Sequence, residues 1–107
     1  MADKETPLGA LGIDLGGTKI EVVVARLRKR YVVASFTLLT TSLVIDVSKK
    51  NGIDWDAIIS CEMIGIYKTR PESYATAAKW LQLQPSEILM VACHNFDLDA
   101  ARACGFQ

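Results

Sequence analysis

Apolar residues fall along this chain in short blocks separated by polar turns, and the blocks differ in period. Leu11–Leu15 is a brief apolar run leading into Asp14-Leu15-Gly16-Gly17-Thr18, which predicts a strand running into a glycine turn. Ile20–Ala25 (IEVVVA) is β-branched and apolar, and by propensity predicts a second strand, so that the two would form an N-terminal β-hairpin. Arg26–Arg30 (RLRKR) reads as a solvated connector or helix end rather than a phosphate-binding patch. Tyr31–Phe36 (YVVASF) is short and continuously apolar, the pattern of a strand covered on both faces.

Helical spacing takes over after Thr37. Residues 40–51 predict a helix, with Leu43, Val44 and Val47 as its apolar stripe, Lys49 and Lys50 in its last turn and Gly52 as its stop. Ala57–Ser60 (AIIS) predicts a buried strand. Glu72–Leu83 predicts a helix placed just after Pro71, with Tyr74, Ala77, Ala78 and Leu81 on one face. Ile88–Ala92 (ILMVA) predicts another strand, and Leu98–Ala103 a short helix ending before Gly105. From residue 31 onward the order is β-α-β-α-β-α, which argues for a parallel sheet with helices packed on it. The length suits a single domain over residues 1–107, made of an N-terminal strand and glycine-loop segment (1–25) and a core (26–107).

Composition narrows the class. Half the residues are hydrophobic and 22% are charged, a globular balance rather than a disordered one. Twelve basic residues offset twelve acidic ones, so no net field favours nucleic acid or an anionic membrane, and a charge near zero invites self-association. A missing edge strand and an absent cap would add exposed apolar surface, and a homodimer, or else a marginal monomer, is expected. Cys61, Cys93 and Cys104 are odd in number and lack CxxC spacing, which argues against a disulfide framework or zinc site and for a reducing cytoplasm. Cys93 reads as a small buried hydrophobe, and Trp55 and Trp80 as core or interface anchors. The polar leader Met1–Pro7 lacks a secretory apolar run, and no stretch approaches the roughly 20 residues that span a bilayer.

In open α/β sheets ligands bind beyond the carboxyl ends of the strands. Each such end here carries a polar residue: Asp14, then Thr37, then Lys68 in the loop after AIIS, then His94, Asn95 and Asp97 after ILMVA. Their setting is specific. Tyr67-Lys68-Thr69-Arg70-Pro71-Glu72-Ser73-Tyr74 resembles the lysine motif of haloacid-dehalogenase-like (HAD) hydrolases, usually written YKPDPxxY, with Thr69 in place of the first proline and Arg70 in place of the acid. Val91-Ala92-Cys93-His94-Asn95-Phe96-Asp97-Leu98, followed by Ala100-Ala101-Arg102 and Gly105-Phe106, resembles the last motif of the type II haloacid dehalogenase branch. Gly52-Ile53-Asp54-Trp55-Asp56 and Ile59-Ser60-Cys61-Glu62 fit between the motifs, and counting back from Trp55 puts Thr37 on the family's Ser/Thr motif. Leu38 stands where that branch usually has Asn, and Gln107 precedes the strand the family normally adds.

The resemblance spans residues 26–106. It implies a three-layer, mostly parallel Rossmann-like sheet of four to five strands, here without the helical cap. By matched position it implies Asp14 as nucleophile, Thr37 and Lys68 as holders of an anionic substrate, and Asp97 as the residue orienting the site, with His94 and Asn95 as substrate-side neighbours. The substrate class is a small organic anion, a 2-haloacid or an organic phosphate. A dehalogenase would need no cofactor, whereas a phosphatase would use Mg2+ held by Asp14 and Asp97. Tyr74 has no assigned role beyond its place on the apolar face.

Residues 9–25 match less cleanly. Gly12-Ile13-Asp14-Leu15-Gly16-Gly17-Thr18-Lys19-Ile20-Glu21 resembles the first phosphate loop of ROK-type sugar kinases, in which a Gly-Gly-Thr turn joins two strands. Only 23 residues separate Asp14 from Thr37, where a type II enzyme inserts its whole cap. Three readings follow. The first is a HAD-like hydrolase, weak or inactive without a cap. The second is a chimeric or truncated α/β domain retaining only the fold. The third is a phosphate- or nucleotide-binding module using Gly16, Gly17 and Thr18.

Overall fold

Helix α1, Gly17–Arg28, is where local propensity and periodicity conflict. Its β-branched run predicted a strand, yet Ile20, Val23, Val24 and Leu27 recur at i, i+3, i+4 and i+7 and line one side, with Val24 buried and Val22, Ala25 and Arg26 exposed. β-Branched residues lose only about 0.5 kcal/mol each in a helix, less than burying an apolar stripe returns. The expected N-terminal hairpin is therefore corrected: its second strand is a helix. Arg26 and Arg28 occupy the last turn, where cations complement the helix dipole. A computed structural model describes the backbone of residues 17–107 and side chains from Ile20 onward. The expected strand Leu11–Leu15, Asp14 and Gly16 lie outside the described residues, as do the side chains of Gly17 and Thr18.

Strand β1 is Ala34–Thr37, helix α2 Thr41–Lys50, strand β2 Ala57–Ser60, helix α3 Cys61–Ile64, helix α4 Pro71–Leu81 and helix α5 Asn95–Ala103, with a 3₁₀ turn at Pro85–Glu87. β1 and β2 pair as a two-stranded parallel sheet, so among the described residues the expected four to five strands are not found. The ILMVA segment accounts for part of the difference. It is extended at Ile88 (φ −109°, ψ 125°), but its ladder is confined to one exchange, Met90 N–H to Gln107 O at 3.0 Å and Gln107 N–H to Ile88 O at 2.8 Å. Leu89 and Val91 are exposed, so the uninterrupted apolar run does not signal burial on both faces.

The chain divides into two compact units. In the first, residues up to Ser35 with Ser42–Ile58, the end of α1 is tied to the residue before β2. Arg28 Nε donates to Asp56 Oδ1 (3.0 Å), and Val33 N–H donates to Asp56 Oδ2 (2.8 Å). The Val33 N–H, then Arg28, holds the Asp56 carboxyl below its ordinary range. Helix α2 stops as expected at Gly52, whose φ of 66° lets Gly52 N–H reach Lys49 O and Ile53 N–H reach Ser48 O (2.9 Å), a Schellman closure. Trp55 anchors on this helix through Nε1–H to Ser48 Oγ (2.8 Å).

The second unit, Phe36–Thr41 with Ile59–Gln107, has its core where α4 packs on α5. Tyr74, Ala78, Ala101 and Phe106 are buried there, flanked by Phe36, Ile88 and Met90. Pro71 opens α4, where its missing N–H costs nothing. α5 begins at Asn95, three residues earlier than predicted, and ends in another Schellman closure, with Gly105 N–H on Arg102 O (2.9 Å) and Phe106 N–H on Ala101 O (3.0 Å). That turn delivers Phe106 into the core. One expectation fails, since Cys93 is exposed rather than buried; Trp80, 46% exposed, is not a core anchor.

Both Gly65 (φ 80°) and Gly105 (φ 94°) need left-handed backbone, but they differ in surroundings. A Cβ at Gly105 would sit 3.2 Å from Pro85 Cβ, whereas one at Gly65 meets nothing within 4 Å. Gly65→Ala should cost about 1 kcal/mol, the backbone penalty alone, and Gly105→Ala about 2 kcal/mol. Urea denaturation of the two variants checks the order, and equal losses would contradict it.

Candidate functional site

The site is built on the second unit, where β1 ends and two loops converge. Ser60 closes β2 and caps α3: its Oγ accepts from Glu62 N–H (3.1 Å) and donates to Leu39 O (2.6 Å), fixing the segment after β1. Glu62 Oε2 in turn accepts from Thr41 N–H (3.0 Å) at the start of α2. Beyond α3, the turn Tyr67–Arg70 contains a cis Lys68–Thr69 peptide bond and closes through Arg70 N–H on Tyr67 O (3.2 Å). It projects Lys68 inward.

Lys68 Nζ donates to Asp97 Oδ2 (2.9 Å) and to Phe36 O (2.8 Å), and lies 4.5 Å from the centre of the Phe36 ring. The two charged side chains are only 8% and 11% exposed, so this is a buried ion pair rather than a surface one. An aspartate ahead of an apolar helical run is a natural N-cap. Instead His94 holds that place and Asp97 is the third residue of α5, its carboxylate turned away from its own backbone. Its second oxygen, Oδ1, accepts from Tyr74 O–H at 2.6 Å. Tyr74 is completely buried, and burial first, then the Asp97 carboxylate, pushes its hydroxyl far above the ordinary phenol range.

The structure thus brings Lys68 and Asp97 together, and Thr37 follows in the chain the Phe36 whose carbonyl Lys68 bonds. Thr37 Oγ1 accepts from Leu39 N–H (3.0 Å), which leaves its own proton free to donate. His94 and Asn95 border the site, His94 O accepting from Asp97 N–H (3.1 Å) in the first turn of α5; the exposed His94 ring stacks on Phe96 at 5.2 Å. Asp14 and Gly16 are outside the described residues. Gly17 and Thr18 open α1, which removes the strand that a kinase-type Gly-Gly-Thr hairpin requires after the turn. Sequence reasoning missed Tyr74. The available signal was the final tyrosine of the YKxxPxxY pattern, and its apolar neighbours on α4 hid its polar function.

A cleft of about 260 Å³ adjoins the site, lined by Leu38, Thr40, Cys61, Glu62, Gly65 and Tyr67. Among the described residues no group of three or more His, Cys, Asp and Glu side chains converges on one point. Of the two carboxylates named for magnesium, Asp14 lies outside the described residues, and Asp97 accepts from Lys68 on one oxygen and from Tyr74 on the other. No helix among the described residues is long and apolar enough to cross a membrane.

With α/β elements, a lysine in the loop after β2 and an aspartate in the first turn of the last helix, the chain is HAD-like in sequence and in fold. More particularly, it is 36% identical over 52 residues to an (S)-2-haloacid dehalogenase of Xanthobacter autotrophicus, a match covering 49% of this chain and 21% of that protein. The crystal structure of an L-2-haloacid dehalogenase superposes with a TM-score of 0.78 at 35% identity, over 80% of this chain and 38% of that one. A defluorinating L-2-haloacid dehalogenase gives a TM-score of 0.77 at 35% identity, over 80% of this chain and 35% of its own. This chain therefore spans a fifth to two fifths of the proteins it matches. No family model matches it.

Tyr74→Phe should remove the donor on Asp97 Oδ1 and cost about 1–3 kcal/mol of stability at pH 7. Because Tyr74 is raised in the folded state above the ordinary phenol value of 10.0, its contribution is complete below about pH 10 and is lost as pH climbs beyond that. Urea midpoints at pH 7 and pH 10.5 should therefore differ less in Tyr74→Phe than in the parent. An unchanged pH dependence would mean that the buried phenol is not the titrating group.

Proposed function

We propose that this chain carries the anion-holding half of a haloacid-dehalogenase-type active site, with a small 2-haloacid as substrate and Asp14 as nucleophile. The observation that carries the reading is the state of the Lys68 ammonium. Two of its three N–H groups are engaged, by Asp97 and by the Phe36 carbonyl, which fixes its direction and leaves one donor for an incoming anion. The Thr37 hydroxyl, with its proton uncommitted, adds a second donor at the same strand end. Fixed donors aimed at an anion in a site of low exposure are the means by which an enzyme stabilises charge as it develops.

In this reading the Asp14 carboxylate attacks the halogen-bearing carbon, the carbon–halogen bond breaks and halide leaves, forming an ester. Water then attacks the carboxyl carbon of that ester, restoring Asp14 and releasing the 2-hydroxy acid. Lys68 and Thr37 hold the substrate carboxylate or the departing halide. The Lys68 ammonium already balances the Asp97 charge at 2.9 Å, which supports this reaction over a magnesium-dependent phosphatase.

Halide release from racemic 2-chloropropionate tests the proposal. Asp14→Asn should abolish it, Lys68→Ala should lower it by about 10²-fold or more, and EDTA should leave it unchanged. Turnover of an aryl phosphate that needs magnesium, with no halide release, would reverse the assignment. No turnover of either compound would favour a fold retained without activity.

The exposed Leu38, Leu39, Met63 and Tyr67 of the second unit support the proposed homodimer. Light scattering should give twice the chain mass at micromolar concentration, and a stable monomer would contradict it.

A further inference from the structure

Lys68, Asp97, Tyr74 and Phe36 form a closed circuit. Lys68 bonds Asp97 (2.9 Å), Asp97 bonds Tyr74 (2.6 Å), the Tyr74 ring meets the Phe36 ring edge-to-face (centroids 5.4 Å apart, 79° between planes), and the Phe36 ring faces the Lys68 ammonium at 4.5 Å. Three of these links are polar or follow from core packing. The fourth is chemically specific. A cation over an aromatic face is attracted by the ring quadrupole, and the attraction grows as water is removed, as it is here. An aliphatic side chain at position 36 would keep the carbonyl bond and most of the packing but would lose that attraction. The ammonium also has little else to hold it on that side, since Asp97 and the Phe36 carbonyl are its other partners among the described residues.

We propose that Phe36 is a positioning residue, whose ring face, together with its carbonyl, fixes the Lys68 ammonium so that its remaining N–H addresses the bound anion. As far as it concerns substrate, this rests on the proposed dehalogenase reading; the hold on Lys68 does not. Anion affinity in the site then depends on the electron density of a core phenylalanine that never touches substrate.

The test is a series of full-length proteins in which Phe36 is replaced by phenylalanine carrying one, two, three and five ring fluorines, with Phe36→Leu as the aliphatic end point. Fluorination drains the ring face while nearly preserving its volume. Two quantities are read: exchange of the Lys68 ammonium protons with water, from 15N spectra, and KM and kcat for 2-chloropropionate. Exchange should quicken progressively, by about tenfold across the series, with KM rising in step and kcat changing less. The same series in Tyr74→Phe, which retains the ring contact and removes the hydroxyl, should show the same trend. If any variant fails to fold, the one- and two-fluorine members suffice to give the slope. Exchange that is flat across the folded members overturns the proposal, whatever the kinetics do. If the parent turns over no haloacid while exchange follows the series, the positioning function stands and the dehalogenase reading falls.

Discussion

The ion pair between Lys68 and Asp97 is the constraint to which the second unit is built. Removing two charges from water costs several kcal/mol per ion, and the cost is recovered only if the remaining donors and acceptors are also met. Here they are met from three separate places: the Phe36 carbonyl at the end of β1, the Tyr74 hydroxyl on α4, and the pair itself, spanning the loop after β2 and the first turn of α5. Loss of one partner would leave the other charged and buried, at a cost of about 3–5 kcal/mol. A strand end, a loop and two helices are thereby held to one register.

Packing and polarity meet in Tyr74. Its ring lies between Phe36 and Phe106, with centroids 5.4 and 5.9 Å away, both edge-to-face, so the residue that orients Asp97 is also the centre of the hydrophobic core. The turn at Gly105 seats Phe106 against it. Any loosening of the core therefore displaces the hydroxyl and, through Asp97, the ammonium. Site geometry and core packing cannot be varied independently in this unit.

Much of this was legible in the sequence, and the exceptions have identifiable causes. The helix over 41–50 and its stop at Gly52, the strand at Ala57–Ser60 and the helix after Pro71 follow from spacing and termini. Lys68 and Asp97 emerge from ordered motifs 29 residues apart. α1 was misread because Val22, Val23 and Val24 argue for a strand locally, while the stripe from Ile20 to Leu27 decides the outcome through burial. Ile88–Ala92 predicts a strand but forms only one backbone exchange, with Gln107, because an apolar run does not tell whether a neighbouring strand is there to pair with. Tyr74 was hidden because a tyrosine on an apolar helix face satisfies the hydrophobic pattern whether or not its hydroxyl has a partner. The Phe36 carbonyl carries no side-chain signature at all.

Asp97 stands third in α5, inside the turn whose unpaired N–H groups carry about half a positive charge. The Asp97 carboxylate therefore answers two positive ends, the ammonium of a loop lysine and the backbone of its own helix, and a substitution that removes the first leaves the second in place.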